Sequence, residues 1–382
     1  MGLILLRYGE IGLKGQNRLY FERKLRHNVR QCLKANGVPG DVWQEGQRLY
    51  LATDQVEAAI EAVQRVFGLV SLSPVFEVPA DLEAIGQEAI RVASRTGLGP
   101  ERSFHVRARR SDKSFPYRSP EIERWVGGQI VEATGARVDL SKGADVEIGI
   151  EVQRGRALVF GETFPGVGGL PLSSQGRVVV LLSHGIDSPV AAWLMMKRGC
   201  GVIPVHFSSD PTQTAQVEAI VEVLNRYAYG WKLRPIILSH QEIVDPLVAR
   251  LRKIREERWA CIVCKRALLM KAAEVADEMG AKAIVTGDSL GQVASQTLDN
   301  LEAISWGIPK LILRPLIGMD KVEIMALARR IGTYEPSIQA SPPCPFLPKH
   351  PLTQASLPNL RAVIEQMEVG AEPEPGCPGS QG

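Results

Sequence analysis

Apolar residues follow two different periods along this chain, and each change of period marks a step in its organisation. LILLRY near the start is an apolar run of strand length. RLYFERKLRHNVRQCLKANG then sets apolar side chains three and four apart, the spacing of one helix face. Strand-length pieces around 48–52 and 71–78, with a helical stretch over 56–66 between them, complete a small α+β unit. The pattern restarts at Asp81 with a helix, the strand SFHVRARR, a helix over 119–133 and two alternating strands, DVEIGIEV and RALVFGE. FPGVGGLPLSSQG, rich in Gly, Pro and Ser, reads as a linker. Beyond it the apolar runs VVVLL, GVIPVHF, LRPIILS, AKAIVTGD and LILRPL are each followed by a helix, the third by a long one. Short buried runs separated by helices predict a doubly wound parallel sheet, whose ligands sit beyond the carboxyl ends of its strands. The predicted architecture is α/β multidomain, with units over 1–57 (extending to about 78), 58–172 and 173–360. Residues 361–382, ending in AEPEPGCPGSQG, are expected to be a disordered tail.

Composition narrows the class without altering that picture. With 382 residues, 45% hydrophobic and 23% charged, the chain has the make-up of an ordinary soluble protein. The formal net charge is only +3, so a polyanionic partner has to be argued from clusters of charge. MGLILL is cut by Arg7, which fits neither a signal peptide nor a membrane span; no membrane partner and a cytoplasmic location are expected. Six cysteines are too few for a disulfide scaffold at this length and read as thiols or ligands.

The candidate chemistry starts at VLLSHGIDSPVA, residues 180–191. An apolar strand ends in small polar residues, and a helix-forming run follows Pro189. Proline suits the first helical turn, and Ser188 or Asp187 can cap the free amides there. Such a loop aims backbone N–H groups and the positive end of a helix dipole at one spot, an anion site whose expected guest is phosphate. GxxxxGK[ST] does not occur, so this is not the usual NTPase phosphate loop.

SHGIDSPVA resembles the SGGxDS "PP-loop" of ATP pyrophosphatases, which cleave ATP to AMP and pyrophosphate while adenylating a substrate oxygen. LRYGEIGLKGQNRLYF, FHVRARRSDKSFPYRSPEIER, TGDSLGQVASQTLDNL and ILRPLIGMDKVEI look like the tRNA 4-thiouridine synthetase family, in the same order from Leu6 to about Thr353. The resemblance implies an N-terminal ferredoxin-like domain, a THUMP domain that binds the tRNA acceptor end and a C-terminal PP-loop domain. It implies replacement of the 4-oxygen of uridine 8 in tRNA by sulfur, with ATP and Mg2+ as cofactors. A homodimer is a further candidate. Two alternatives stand beside this reading: a tRNA-binding protein whose ATP site has decayed, and an ATP pyrophosphatase thiolating another RNA position. Mapped by motif, the ATP contacts are Leu181, Leu182, Ser183, Gly185, Asp187, Ser188, His206, Phe207, Lys265, Gly287 and Gln296, with Asp187 also assigned to catalysis. Two positions depart from the family pattern. His184 replaces the first glycine of SGG and would be costly if φ there must be positive; the milder expectation is a tolerated ring turned to solvent. Lys265 stands where arginine is usual.

Cys344, in SPPCPFLPKHPLT, matches the family's catalytic segment, which implies a sulfur-bearing thiolate. Cys261 and Cys264 lie three apart in a helical stretch and share a face. With Cys344 they are candidate ligands of an iron–sulfur cluster or zinc, against the competing readings of a redox dithiol or two half-buried core thiols. Cys200 and Cys32 read as packing, and Cys377 belongs to the tail. The chain has no room for the rhodanese domain of longer members, so a cysteine desulfurase or free sulfide is the expected sulfur source. RARRSDKSFPYR gathers Arg107, Arg109, Arg110, Lys113 and Arg118 with Phe115 and Tyr117 interleaved, a candidate RNA surface that Lys14 and Arg18 would extend.

Overall fold

A single strand, Leu69–Pro79, joins two sheets that the hydrophobic pattern assigns to separate units. The structure, a computed structural model, describes residues 1–369 apart from 142, 341, 343, 345, 347, 349 and 350. It divides into two units, Met1–Pro171 and the chain from Leu172 onward.

The first unit runs β1 (Gly2–Tyr8), α1 (Arg18–Ala35), β2 (Asp41–Glu45), β3 (Arg48–Thr53), α2 (Val56–Val63), β4 (Leu69–Pro79), α3 (Leu82–Arg95), β5 (Ser103–Arg110), α4 (Ser119–Thr134), β6 (Arg137–Val138), β7 (Val146–Gln153), β8 (Arg156–Phe160) and β9 (Phe164–Pro165). Its strands form one sheet in the order β2-β3-β1-β4-β8-β7-β5-β6, with β9 on β4. The first half of β4 pairs antiparallel with β1 and its second half with β8. A 57/58 boundary would cut α2, which packs with α1 on the early strands. Ile85, Ala89 and Val92 of α3 and Ile122, Val126 and Ile130 of α4 bury against Phe104, Val106, Ile148 and Ile150 of the later strands. Glu151 of β7 is buried between Arg7 of β1 and Arg48 of β3, at 3.1 and 3.0 Å. Burial opposes its charge, but the two arginines outweigh burial and hold its pKa below the usual carboxylate range.

The second unit runs β10 (Arg177–Leu181), α5 (Asp187–Lys197), β11 (Gly201–Ser208), α6 (Pro211–Asn225), β12 (Ile236–Ser239), α7 (His240–Lys253), α8 (Ala260–Glu278), β13 (Ala283–Val285), α9 (Leu298–Ser305), β14 (Leu311–Leu313), α10 (Lys321–Ile331), α11 (Tyr334–Ser337) and α12 (Leu357–Val369). All five strands are parallel in the order β12-β11-β10-β13-β14. The order reverses direction at β10, so the crevice beyond the carboxyl ends of β10 and β13 is the topological switch point, where ligands of such sheets bind. Two expectations need correcting. The long helical stretch after β12 is two helices, because the chain turns at Arg255, whose φ is +58°. α12 occupies 357–369, where the disordered tail was expected to begin at 361: Leu360, Val363 and Met367 give it an apolar stripe that buries in the core. Cys377 and the rest of 370–382 lie outside the described residues. Among the described residues no helix is long and apolar enough to cross a membrane.

Candidate active site

β10 ends at Leu181, and the Leu182 N–H still donates to the Val205 carbonyl at 2.8 Å, which fixes where the chain leaves the sheet. Ser188, in the first turn of α5, closes the loop: its Oγ accepts from the Ser183 N–H at 2.8 Å and lies 3.0 Å from Ser183 Oγ. The Gly185 N–H reaches the same Ser183 Oγ at 3.4 Å. Gly287, just past β13, presses on this turn, since a Cβ there would stand 2.7 Å from Ser188 N and 2.9 Å from Ser188 Cα. Any larger residue would push the loop away. His184 brings no backbone penalty, because Ser173 and Arg255 are the non-glycine residues with positive φ among those described. Its ring is not turned to solvent, as the milder expectation had it; it is half-buried and lines a cavity, and burial lowers its pKa.

Two cavities adjoin the loop and share Leu181, Ser183 and Leu268. One, of about 410 Å³, is lined by Leu181, Leu182, Ser183, His184, His206, Phe207, His240 and Cys344 among others. The other, of about 290 Å³, is lined by Asp187, Ser188, Lys265, Gly287, Asp288 and Gln296 among others. Of the residues mapped to ATP, only Gly185 lines neither. His206 Nδ1 bonds to the Leu182 carbonyl at 2.9 Å, while its buried Nε2 has no partner among the described residues, and burial keeps the ring's pKa low.

Several polar side chains here escaped the reading of the sequence. Lys321, the first residue of α10, donates to Asp187 Oδ1 at 2.6 Å, and Gln292 donates to Oδ2 at 2.9 Å. Asp288 accepts from Thr286 Oγ1 at 2.7 Å and Gln296 Nε2 at 3.2 Å, and pairs with Lys265 and Arg314 at 3.5 and 3.4 Å. Burial opposes its charge, yet Lys265, Thr286, Arg314 and Gln296 together hold its pKa below the ordinary value. Lys321 and Asp288 sit in the stretches MDKVEI and TGDS. Only their tertiary placement reveals what they touch.

Of the three candidate thiols, Cys344 lines the first cavity, and His240, which also lines it, reaches Cys264. Cys261 and Cys264 occupy the first turns of α8, both half-buried, and Cys344 is exposed. Burial first, then the charges of Cys344 and Cys261, pushes the Cys264 thiol up to about 12. Cys261 is raised by burial and by Cys344, with Lys265 opposing. Cys264 Sγ lies 3.5 Å from His240 Nε2, and the His240 ring stacks on Phe346 at 5.6 Å and 29°. Three thiol donors suit a soft metal or iron–sulfur cluster in chemistry. Among the described residues, however, no group of three or more His, Cys, Asp and Glu side chains is arranged to hold a metal ion. Cys32 and Cys200 are buried.

On the first unit, alternation along β5 buries Val106 and exposes Arg107 and Arg109. Lys113 and Arg118 are exposed too. Arg110 is partly committed elsewhere: its Nη1 donates to the carbonyls of Phe115 and Tyr117 at 2.8 and 3.4 Å and so holds the following loop. Phe115 is buried in the core and has no face to offer a base, whereas Tyr117 is exposed. Arg18 does not extend this surface as a loose cation, because Glu22 and Tyr8 hold it at 2.6 and 2.9 Å. Lys14 lies over the Phe21 ring.

Three family models match the chain: the thiamine biosynthesis protein (ThiI) over residues 173–369, the ThiI ferredoxin-like domain over 3–73 and the THUMP domain over 79–161. A probable tRNA sulfurtransferase of Thermococcus kodakarensis is 42% identical over 376 residues, 97% of this chain and 98% of that one. Another, of Methanocaldococcus jannaschii, is 40% identical over 373 residues, 96% and 97% of the two chains. The crystal structure of a 4-thiouridine synthetase–RNA complex with bound ATP matches with a TM-score of 0.82 at 32% identity, covering 96% of this chain and 95% of that one.

Proposed function

The chain belongs to the ThiI family, and we propose that it is an ATP-dependent tRNA sulfurtransferase that converts uridine 8 of tRNA to 4-thiouridine. The observation that carries this reading is one loop, Ser183–Ser188, with a cavity on each side: one bordered by the charged groups Asp187, Lys265 and Asp288, the other by Cys344.

A uracil 4-oxygen is a poor leaving group, so the reaction needs two halves. In the first, that oxygen attacks the α-phosphorus of ATP, forming an O–P bond and releasing pyrophosphate. The loop amides and the N-terminal end of α5 hold the phosphates, Lys265 adds a cation, and the Leu181–Leu182 and His206–Phe207 strand ends receive the adenosine. Mg2+ arriving with the triphosphate would be held at Asp187, a hard oxygen donor, in exchange for its bonds to Lys321 and Gln292. In the second half, sulfur bonds to C4 and the C4–O bond breaks with AMP as leaving group. Cys344 would carry that sulfur as a persulfide, whose outer sulfur bonds to C4 and whose S–S bond is then cleaved by a second thiol, or with Cys261 and Cys264 would hold an iron–sulfur cluster, which would supply a metal site for sulfide. A cysteine desulfurase is the source for the persulfide, since it hands over sulfur already at the persulfide level, and free sulfide is the source for the cluster. Arg107, Arg109, Lys113 and Arg118 give the THUMP region its affinity for the acceptor end. The setting is the cytoplasm, and a homodimer would let one chain present tRNA to the other's active site.

The unstrained backbone at His184 speaks against a decayed ATP site. The test is incubation of the protein with unmodified tRNA, ATP, Mg2+ and sulfide, followed by nucleoside mass spectrometry and mapping of the modified position. 4-Thiouridine at position 8 is expected. Its absence, or sulfur at another position, would overturn the assignment.

A further inference from the structure

We propose that the turn between α7 and α8 is a second RNA-contacting surface, on which Arg250, Arg252, Lys253 and Arg255 grip the phosphate backbone of the tRNA substrate beside the thiols; this rests on the function proposed above. Residues 250–258 read RLRKIREER, five cations against two carboxylates, a local net charge equal to that of the whole chain. The four cations are exposed, whereas Leu251 and Trp259 are buried and Ile254 packs against the same core, so the turn is anchored from beneath and presents its charges outward. Arg258 is drawn to Glu256 at 2.9 Å; none of the four is in an ion pair among the described residues.

Helix dipoles attract cations to a last turn, which accounts for Arg250, Arg252 and Lys253 without any partner. Arg255 lies past the helix end and needs another reason. The Glu256 N–H bonds to the Leu251 carbonyl at 2.9 Å and the Arg255 N–H to the Arg252 carbonyl at 3.2 Å, the paired bonds of a Schellman ending. Its left-handed position, φ +58°, is one that glycine fills at no steric cost. An arginine there is kept against its backbone preference, and what it adds over glycine is an exposed guanidinium. The helix that follows starts at Ala260 and carries Cys261, Cys264 and Lys265 in its first turns. A polyanion seated on this turn therefore lies at the N-terminal end of the helix that carries Cys261, Cys264 and Lys265. Phosphodiester backbone is the partner such charge fits, with binding that weakens as salt rises.

The backbone strain supplies a test that misfolding cannot imitate. Arg255→Gly should leave the thermal midpoint unchanged or raised, since it relieves the strain, while making the slope of log K for tRNA against log salt shallower by about one unit. Arg252→Glu with Lys253→Glu should flatten it by roughly two units and raise KM for tRNA at least tenfold, with kcat and ATP affinity unaltered. Binding is measured without turnover, so it remains informative even if the wild-type protein thiolates nothing, the result that would instead sink the assigned activity. Unchanged affinity and slope in both variants would overturn the proposal. So would intact tRNA binding with activity lost only when a cysteine desulfurase, rather than sulfide, donates the sulfur; the turn would then serve an acidic protein.

Discussion

Lys321 Nζ and Asp187 Oδ1 stand 2.6 Å apart, joining the first residue of α10 to the first residue of α5. A cation at a helix N-terminus opposes the dipole there, so Lys321 is not placed for the stability of α10. It holds the Asp187 carboxylate at the edge of the second cavity, and positive charge there would favour cleavage of a triphosphate in the proposed reaction. Lys321→Met is expected to lower AMP-forming activity by roughly 10²-fold, the scale of losing one electrostatic stabiliser of a transition state. Asp187→Ala should abolish it, with tRNA affinity nearly unchanged in both. Pyrophosphate release from ATP in the presence of tRNA checks each, and full activity in either variant would remove that residue from the chemistry.

Gly287→Ala adds one methyl group against the backbone of Ser188, at 2.7 Å from its nitrogen. Backbone atoms cannot swing aside as a side chain does, so the loop has to move. Overpacking of this kind costs about 1–3 kcal/mol, and here the displaced atoms are the phosphate donors. The expected outcome is a large loss of ATP affinity by calorimetry with a smaller fall in unfolding free energy.

What was legible in the chain was chiefly local. The strand, loop and helix around Ser183 follow from neighbours in sequence, and the parallel sheet follows from apolar runs spaced by helices. Most of β4 was legible as a strand over 71–78, across Pro74; what its pattern did not show is that its second half pairs with β8, because pairing partners are set by the tertiary fold. The break after α7 escaped because neither Gly nor Pro marks it, and an arginine takes the left-handed position. Lys321, Gln292 and His240 went unassigned since their partners are distant in sequence, at Asp187 and Cys264. α12 shows how an apolar stripe can be missed beside a polar tail.

Glu151 gives the first unit a pH dependence of known sign. Its folded-state pKa is depressed, so the stability it contributes is present above the unfolded value of about 4.3 and is lost as pH falls through the folded value. Removing it strands Arg7 and Arg48, both mostly buried. Glu151→Ala should cost about 3–5 kcal/mol in denaturant unfolding near neutral pH and flatten the acid limb of stability. An unchanged acid limb would show that other carboxylates govern it.

Arg107→Ala with Arg109→Ala should weaken tRNA binding and reduce its salt slope by about one unit for each phosphate no longer neutralised, leaving ATP binding without tRNA untouched. Arg110→Ala should differ, because that side chain also holds the carbonyls of Phe115 and Tyr117. It is expected to raise local amide exchange over 112–118 as well as weaken binding, and hydrogen-exchange mass spectrometry separates the two effects.

The three thiols divide the two ways of handling sulfur. If Cys261, Cys264 and Cys344 hold one cluster, each single alanine variant should lose bound iron together with thiolation, since three ligands are already one short of the usual four. If Cys344 alone carries a persulfide, Cys344→Ala is inactive while Cys261→Ala with Cys264→Ala keeps its activity. The burial that pushes Cys264 up to about 12 disfavours a free thiolate there, so without metal this pair is a poor nucleophile at neutral pH. Cys344 is the exposed member and so the one that an incoming sulfur donor can reach. Iron and acid-labile sulfide measured after anaerobic purification decide between them: about three to four irons per chain, lost in every single variant, is the outcome for the cluster, and an iron-free protein that thiolates tRNA at full rate would leave Cys344 as the lone carrier.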